Sequence, residues 1–448
     1  MTHSHPRSPD PRPSLPPNLQ FVLGLSPSAM TLGLGNITTL LSRIDNPQRR
    51  MRTAVIAGTN GKGSVTAMLA ALLHGEGVTT GRFTSPHVYS VTERVSIDGQ
   101  DVALEEMETA AARIAPLHAE IGFSYFEAIT AIAFLLFAER GVDVAVMETG
   151  LGGRFDATNV TTPEVSVITS ISVDHRRILG DTEEEILREK LGITRPGTPL
   201  LIGEFDDRLR RCIDEKCARD RVPVESYRDV GSAERSADGE RVRFVTRRAD
   251  YGDVRMPFPG AHQAINALLA LGAAEHLMGG ALKRAPEALA HAYLPGRFER
   301  FVRGSRTFVV DVAHNEAALI AAASELARMS PRRENAVVLG LLRRKELLAA
   351  PAKLMRAASR IYLVSPEAAA PDPAFAPHEL LFRHVYPLLT EAPTDAILWN
   401  QRAPDDDHWR RLFRVLDREA HPASTILVTG SHHVVEQFGR RLRGERTG

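Results

Sequence analysis

The sequence predicts an α/β protein of two doubly wound domains, a larger one followed by a smaller one. Three observations predict it. Short β-rich apolar runs alternate with Ala/Leu-rich helical stretches along most of the chain. The run TAVIAG passes through a glycine-rich turn straight into a helical segment. The pattern then breaks at Leu294, Pro295 and Gly296, beyond which a second α/β series begins. The 448 residues leave room for about two to four domains at roughly 100–200 residues each.

Taken in order, residues 1–17 contain six prolines and read as a disordered or polyproline-like tail, with order starting near Asn18. Helical spacing over 33–43 precedes a strand at 53–58 and a helix at 64–76. A buried helix is expected at 126–139, and buried parallel strands at 143–148 and 165–172. A helix at 182–190 and a strand at 198–203 follow. The polar stretch 226–254, with ERVRFVTRR, predicts a small antiparallel excursion before a helix at 262–278. The second series comprises strands at 307–312, 336–342, 361–365, 396–399 and 425–430. Its helices fall at 316–329, 345–359, 405–419 and 434–442. The domains are therefore placed at 18–294 and 298–448.

Composition narrows the function. Lys+Arg and Asp+Glu are both 55, so the formal net charge is zero and bulk attraction to nucleic acid or an anionic membrane is not indicated. Cys212 and Cys217 are the only cysteines, which excludes a disulfide framework. Five residues apart on a helix, they are poorly spaced to share a ligand and read as ordinary thiols of a reducing cytosol. No apolar run reaches the ~18–20 residues of a membrane helix, and the N-terminus lacks the apolar core of a secretory signal. A cytoplasmic protein is expected.

The strongest chemical signal is Gly58, Thr59, Asn60, Gly61, Lys62, Gly63 and Ser64. Glycines let the backbone approach a ligand closely, and N–H groups at the start of a helix cradle anions. Lys62 would neutralise β/γ-phosphate charge, although Gly63 between Lys62 and Ser64 departs from the common P-loop spacing. Glu148 ends the apolar run DVAVME, where a carboxylate is either a ligand for a nucleotide-bound Mg²⁺ or a solvated strand end. Asp174 and His175 end the run VSVITSISV and Lys190 follows in REKLGITRPG; taken singly, such a His or Lys is more often structural or exposed than functional, and only the combination changes the reading.

In combination these segments resemble one family closely. GTNGKGS, FTSPH with TERVSIDG, SYFEAITAIAF, METGLGGRFDATNV and the order DH, LG, REK, PG are similar to folylpolyglutamate synthase/dihydrofolate synthase of the Mur ligase superfamily. HQAINALLAL, LPGRFE, DVAHN and VTGS carry the resemblance through the second domain, roughly from Leu34 to Leu442. It implies a P-loop NTPase-like Mur ligase central domain and a smaller, Rossmann-like C-terminal Mur ligase domain. It also implies an ATP-dependent amide ligase, of the bifunctional type, that activates a pteroate or folate carboxylate as an acyl phosphate for attack by L-glutamate. A monomer is expected, with no nucleic acid or membrane partner.

The resemblance also implies roles for residues. ATP would be held by Gly58 to Ser64, Asn266, Arg297 and Asp311, gripped from both domains. Ser85 and Glu148 would hold a first Mg²⁺, and His175 would join Glu148 at a second. Lys190 matches a lysine that becomes carbamylated in the family, turning a cation into a metal-binding anion. Lys62, Lys190, His175 and His314 are thus the catalytic candidates. Phe126, Glu127, Gly153, Arg154 and Asp156 match the pteroate side, though Phe126 could equally be core. His314 and Ser431 match positions facing the incoming glutamate.

Departures from the family pattern cluster in the second domain: Val312 where Gly usually follows the Asp, Glu316 for Pro, and Arg343, Arg344 and Lys345 for an acidic stretch. Arg343 and Arg344 are either extra anion-binding charge or a solvated turn. These put the amine substrate in question. The competing readings are a ligase of the same chemistry with a non-folate acid or another amine, and a nucleotide-binding protein that has lost catalysis.

Overall fold

A computed structural model describes residues 15–25, 33–237, 240–340, 349–364, 406–419 and 424–444. The expected tail over 1–14, the strand at 396–399 and the triad Arg343, Arg344 and Lys345 lie outside the described residues.

Among the described residues, three sheets organise the chain. The first contains β1 (Arg52–Ala57), β2 (Thr80–Phe83), β3 (Val95–Ile97), β4 (Gln100–Asp101), β5 (Val144–Glu148), β6 (Val165–Ile168), β7 (Leu200–Ile202) and β8 (Val224–Ser226). Their order is β4-β3-β2-β5-β1-β6-β7-β8, parallel except for β3 and β4 at one edge. Successive residues of a strand point to opposite faces, and here both faces are covered. Ala54 and Ile56 of β1 enter one core, under helices Lys62–Gly75 and Ala261–Met278. Val55 and Ala57 enter the other, under helices Tyr125–Glu139 and Leu104–Ile114. Burial on both sides is why the parallel strands read as unbroken apolar runs.

The antiparallel excursion forms as expected: β9 (Gly231–Arg235), β10 (Arg241–Thr246) and β11 (Asp250–Arg255) build a second sheet of order β11-β10-β9. Val242, Phe244 and Val254 sink into the core beneath helix Ala261–Met278. The third sheet has β12 (Glu299–Arg303), β13 (Arg306–Val310), β14 (Asn335–Leu339), β15 (Arg360–Leu363) and β16 (Thr425–Thr429) in the order β12-β13-β16-β14-β15. Of its described strands only β12 runs antiparallel. Val88 and Tyr89 from the first half of the chain join the core of this sheet beside Val435 and Phe438.

Several expectations need correction. Helix Pro17–Gly24 includes Pro17, a residue the composition places in the tail; Glu108 holds this helix by accepting from the Leu19 N–H at 2.8 Å. The strand expected at 165–172 stops at Ile168 because the following residues bind the glycine loop instead. The helix expected at 345–359 is described only over Ala350–Ala357. Among the described residues no helix is long and apolar enough to cross a membrane. Cys212 and Cys217 are free thiols on helix Asp207–Asp220, and burial pushes the Cys217 thiol up to about 11.

Candidate active site

β1 ends at the middle of the large sheet, and the glycine loop leaves its carboxyl end. Gly58 has φ +149°, and a Cβ there would lie 1.9 Å from Thr169 Oγ1, so glycine is required. The segment after β6 clamps the loop. Thr59 N–H donates to Ser170 O at 2.8 Å, Asn60 N–H to Ser170 Oγ at 3.1 Å, and the Thr169 hydroxyl to Asn60 O at 2.6 Å. Helix Lys62–Gly75 starts behind Gly61 without a side-chain cap, which leaves its first-turn N–H groups to an anion.

The loop forms one wall of a cavity of about 350 Å³ whose other walls include Gln263, Asn266, Arg297, Asp311 and His314. Gln263 Nε2 donates to Ser64 Oγ at 3.2 Å and Asn266 Nδ2 donates to Gln263 Oε1 at 2.9 Å, tying helix Ala261–Met278 to the loop. Glu148, register partner of Ile56, is buried and accepts from the Ser85 N–H at 3.1 Å. Burial raises the pKa of this carboxyl, and Lys62, Arg297 and Arg94 pull it back down. A Cβ on Gly63 would sit 3.3 Å from Glu148 Oε2 and 3.5 Å from Arg297 Nη2, so backbone, carboxylate and guanidinium converge on one point. Asp311 is buried, accepting from Phe298 N–H at 3.0 Å and Ala313 N–H at 2.9 Å; burial raises its pKa and Arg297 opposes.

A second cavity, of about 560 Å³, lies alongside. Thr59, Lys62, Ser85, Pro86, His314 and His432 line both. Arg94, Tyr125, Phe126, Phe155, His175 and Lys190 line the second alone. Lys190 is buried, and its Nζ donates to Gly58 O at 2.9 Å. Burial, then Lys62, brings its pKa down to about 7 against the pull of Asp156 and Asp174. Asp174 Oδ2 lies 3.7 Å from His314 Nε2, and Asn315 Nδ2 donates to Asn60 Oδ1 at 2.8 Å, so the two halves of the chain meet here.

A model of the Mur ligase middle domain matches residues 56–274, and one of the Mur ligase glutamate ligase domain matches residues 296–432. The dihydrofolate synthase/folylpolyglutamate synthase of Bacillus subtilis is 32% identical over 429 residues, 92% of this chain and 95% of that one. The chain belongs to the folylpolyglutamate synthase/dihydrofolate synthase family of Mur ligases. It is an ATP-dependent glutamate ligase. Among solved structures, Escherichia coli FolC in complex with DHPP and ADP superposes with TM-score 0.82 at 26% identity, covering 98% of this chain and all (100%) of that one. A bifunctional folylpolyglutamate synthase/dihydrofolate synthase with Mn, AMPPNP and L-glutamate bound gives TM-score 0.79 at 28% identity, covering 95% and 97%.

Most residues expected at the site of this ligase line one of the two cavities, but several have structural employment as well. Glu127 completes a capping box with Ser124 and accepts from the Ile37 N–H at 3.1 Å. Asp156 is buried and staples the glycine turn, accepting from Gly150 N–H (2.8 Å), Leu151 N–H (2.9 Å) and the Thr158 hydroxyl (2.6 Å). Phe126 is partly core and partly wall: it packs on Gly150 and lies 5.8 Å from the Phe83 ring. Ser431 is buried and caps helix His432–Leu442. Gly153 and Arg154 line neither cavity. Gly153 packs against the Lys190 carbonyl, and exposed Arg154 donates its N–H to Glu189 O at 2.8 Å.

The residues expected to hold metal are not gathered into one cluster. Glu148 lines the first cavity and exposed His175 the second. Among the described residues, no three His, Cys, Asp or Glu side chains stand close enough to hold an ion by themselves. A buried carboxylate beside a phosphate cradle still fits Mg²⁺, which takes one or two carboxylates and completes its shell with water and substrate phosphates.

Sequence reasoning missed Arg94, His262, Gln263 and His432. Arg94 is buried, its Nε donating to His87 Nδ1 at 2.8 Å with its guanidinium 5.4 Å from the Tyr125 ring centre. Burial and Arg94 bring the His87 pKa down to about 4, in keeping with an acceptor lone pair at Nδ1. Gln263 stands in the quoted run HQAINA, and the hydrogen bond to Ser64 is the signal that singles it out. Two of the three departures have a structural role. Val312 is buried with Val88 and Val435, and its N–H donates to Gly296 O at 3.0 Å. Glu316 Oε1 accepts from the N–H groups of Ala349 and Ala350 at 2.6 and 2.9 Å.

Proposed function

We propose that this ligase adds L-glutamate to dihydropteroate and to tetrahydrofolate (poly)glutamates through an acyl phosphate. The observation that carries the reading is the shared wall. Lys62 and Thr59 of the phosphate loop face both cavities, so a carboxylate reaching in from the second meets the terminal phosphate held in the first. The bound DHPP and ADP of the Escherichia coli protein, and the AMPPNP and L-glutamate of the bifunctional relative, support the same division.

The reaction needs anionic reactants brought together, and positioning with electrostatic stabilisation does most of that work. Gly58 to Ser64 would cradle the triphosphate, with Asn266, Arg297 and Asp311 closing over the nucleotide. Glu148 and Ser85 would hold one Mg²⁺, with a second shared with His175 and carbamylated Lys190. The metal supplies neutralising charge on the phosphates; Mn in the relatives supports this. Arg94 and Tyr125 would receive the acid, Phe126 and Phe155 would flank its flat ring, and His314 and Ser431 would face the glutamate. This assigns residues 18–294 to a P-loop NTPase-like domain and 298–448 to a Rossmann-like one, in a cytoplasmic monomer. Val312 adds no charge to the first cavity and Glu316 lines neither, so these two departures leave room for glutamate as the amine.

Purified protein incubated with ATP, Mg²⁺, L-glutamate and either dihydropteroate or tetrahydrofolate is expected to release phosphate and give a product one glutamyl unit heavier by mass. Phosphate release with another acid or amine, and none with these, would replace the reading by that of a specialised ligase.

A further inference from the structure

A third cavity, of about 930 Å³, shares no lining residue with the two at the candidate active site. One wall is the antiparallel edge of the large sheet, where a row of polar side chains crosses three strands. Arg82 of β2 is the register partner of Ser96 of β3, and Ser96 is that of Asp101 of β4. Register partners point to the same face, so the three side chains stand side by side along the cavity. The other walls are small and apolar. Ala67, Ala70 and Ala71 share one face of helix Lys62–Gly75, and Ala288 and Ala292 come from the segment that leads to the linker.

The polar row is short of partners. Arg82 is buried; its Nη1 donates to Tyr293 O at 2.8 Å, its Nη2 reaches Asp101 Oδ1 only at 3.4 Å, and its Nε has no hydrogen-bond partner. The buried Ser96 hydroxyl has none either. Burial lowers the pKa of Arg82 and raises that of Asp101, although each charge pulls the other back. Buried polar groups left without partners cost free energy that a ligand bonding to them would recover. The fixed charges of the lining balance, Arg82 and Arg284 against Asp101 and Glu287, which suits a ligand of no net charge. Because Arg82 and Asp101 are adjacent, the opposite charges of the ligand must be adjacent too. The carboxylate and ammonium of an α-amino acid share one carbon, whereas the ends of a peptide stand apart. The alanine walls and exposed Tyr293 leave the remaining volume to a large apolar side chain.

We infer that this cavity binds an α-amino acid with a large apolar side chain, its carboxylate on Arg82 and Ser96 and its ammonium on Asp101. L-Glutamate fits it poorly, because its second carboxylate would lie against the alanines without a partner. The occupant would touch both the helix that opens at Lys62 and the linker residues Tyr293 and Pro295. Arg82 already holds the linker through Tyr293 O, so a ligand that draws on the same guanidinium biases the approach of the two halves and, with it, the affinity for ATP.

L-Phenylalanine is the probe. Calorimetric titration of the full chain is expected to give a Kd of about 1 mM or tighter, unaffected by saturating L-glutamate, and to shift the affinity for ATP at least about twofold. 3-Phenylpropanoate, which lacks the ammonium, and phenethylamine, which lacks the carboxylate, are expected to bind at least about tenfold more weakly. Ser96→Ala removes a hydroxyl that has no protein partner, so its melting temperature should equal or exceed the native value while its affinity for L-phenylalanine falls about tenfold. Ala71→Leu, which fills the apolar wall and leaves the polar row intact, should abolish binding in a folded protein. A Kd above about 1 mM, equal binding of either analogue, or native affinity in either variant would overturn the site. Displacement by L-glutamate would put the probe in the active site and overturn it equally. Unchanged ATP affinity at saturating L-phenylalanine would overturn the coupling.

Discussion

Lys190 offers the sharpest quantitative test of the site. Carbamylation needs an uncharged amine, and a pKa of about 7 leaves half of Lys190 uncharged at pH 7. A lysine at its ordinary 10.5 is uncharged to roughly 0.03% there, so burial raises the reactive fraction roughly a thousandfold. The same shift makes stability depend on pH. Below about pH 7 folded and unfolded chains both hold the proton, and the cost of burying the charge is fully present. As pH climbs from there toward 10.5, the folded lysine is neutral while the unfolded one is still charged, so unfolding takes up a proton and stability rises. Wild type without CO₂ should therefore gain up to about 2 kcal/mol between pH 7 and 9 relative to Lys190→Met, by urea unfolding at each pH. With ¹³C-bicarbonate at pH 8, a carbamate resonance should appear in wild type and be absent in Lys190→Met. Parallel stability curves for the two proteins would refute the depressed pKa. A missing resonance in wild type loaded with Mg²⁺ and nucleotide would refute the carbamate.

Three further outcomes follow from the geometry. Lys62→Ala and Glu148→Ala should abolish phosphate release while circular dichroism stays native; near-normal rates in either would contradict the placement of the triphosphate. Gly153→Ala would put a methyl 2.8 Å from Lys190 O and 3.0 Å from Glu189 O. Backbone atoms yield little, so a cost of about 1–3 kcal/mol is expected, with a loss of turnover as Lys190 shifts; an unchanged melting temperature and rate would show that the loop has slack. Arg443 lies 4.0 Å over the Tyr89 ring and donates to Glu299 Oε1 at 2.6 Å and the Tyr293 hydroxyl at 2.9 Å, beside the linker. Arg443→Ala should cost about 1–2 kcal/mol and raise the KM for ATP more than it lowers kcat; a fall in kcat alone would mean that this contact does not govern closure.

What the sequence announced, and what it hid, divides along a physical line. The glycine loop and Glu148 were legible because each is a local pattern at a strand's carboxyl end, where neighbours in sequence are neighbours in space. β2 was not, because TGRF carries Arg82 into the interior, where Tyr293 O accepts from its Nη1 at 2.8 Å. β3 and β4 are too short for any period to show. Glu127 and Asp156 were legible as motif members, yet the motif does not say that their carboxylates hold backbone N–H groups in place. Arg94 and His432 were hidden for another reason. Residues 338 positions apart reach one pair of cavities only through the tertiary fold, and no window of sequence contains both. The contacts that join the halves, such as Asn315 to Asn60 and His314 to Asp174, are of the same kind. They hold His314 and Asn315, from beyond the linker, against Asp174 and against Asn60 of the glycine loop. Arg297 and Asp311, beyond the linker, line the same cavity as the glycine loop, so the nucleotide cavity as well as the neighbouring one waits on the meeting of the two halves, and substitutions at that seam should slow the use of ATP as well as glutamate capture.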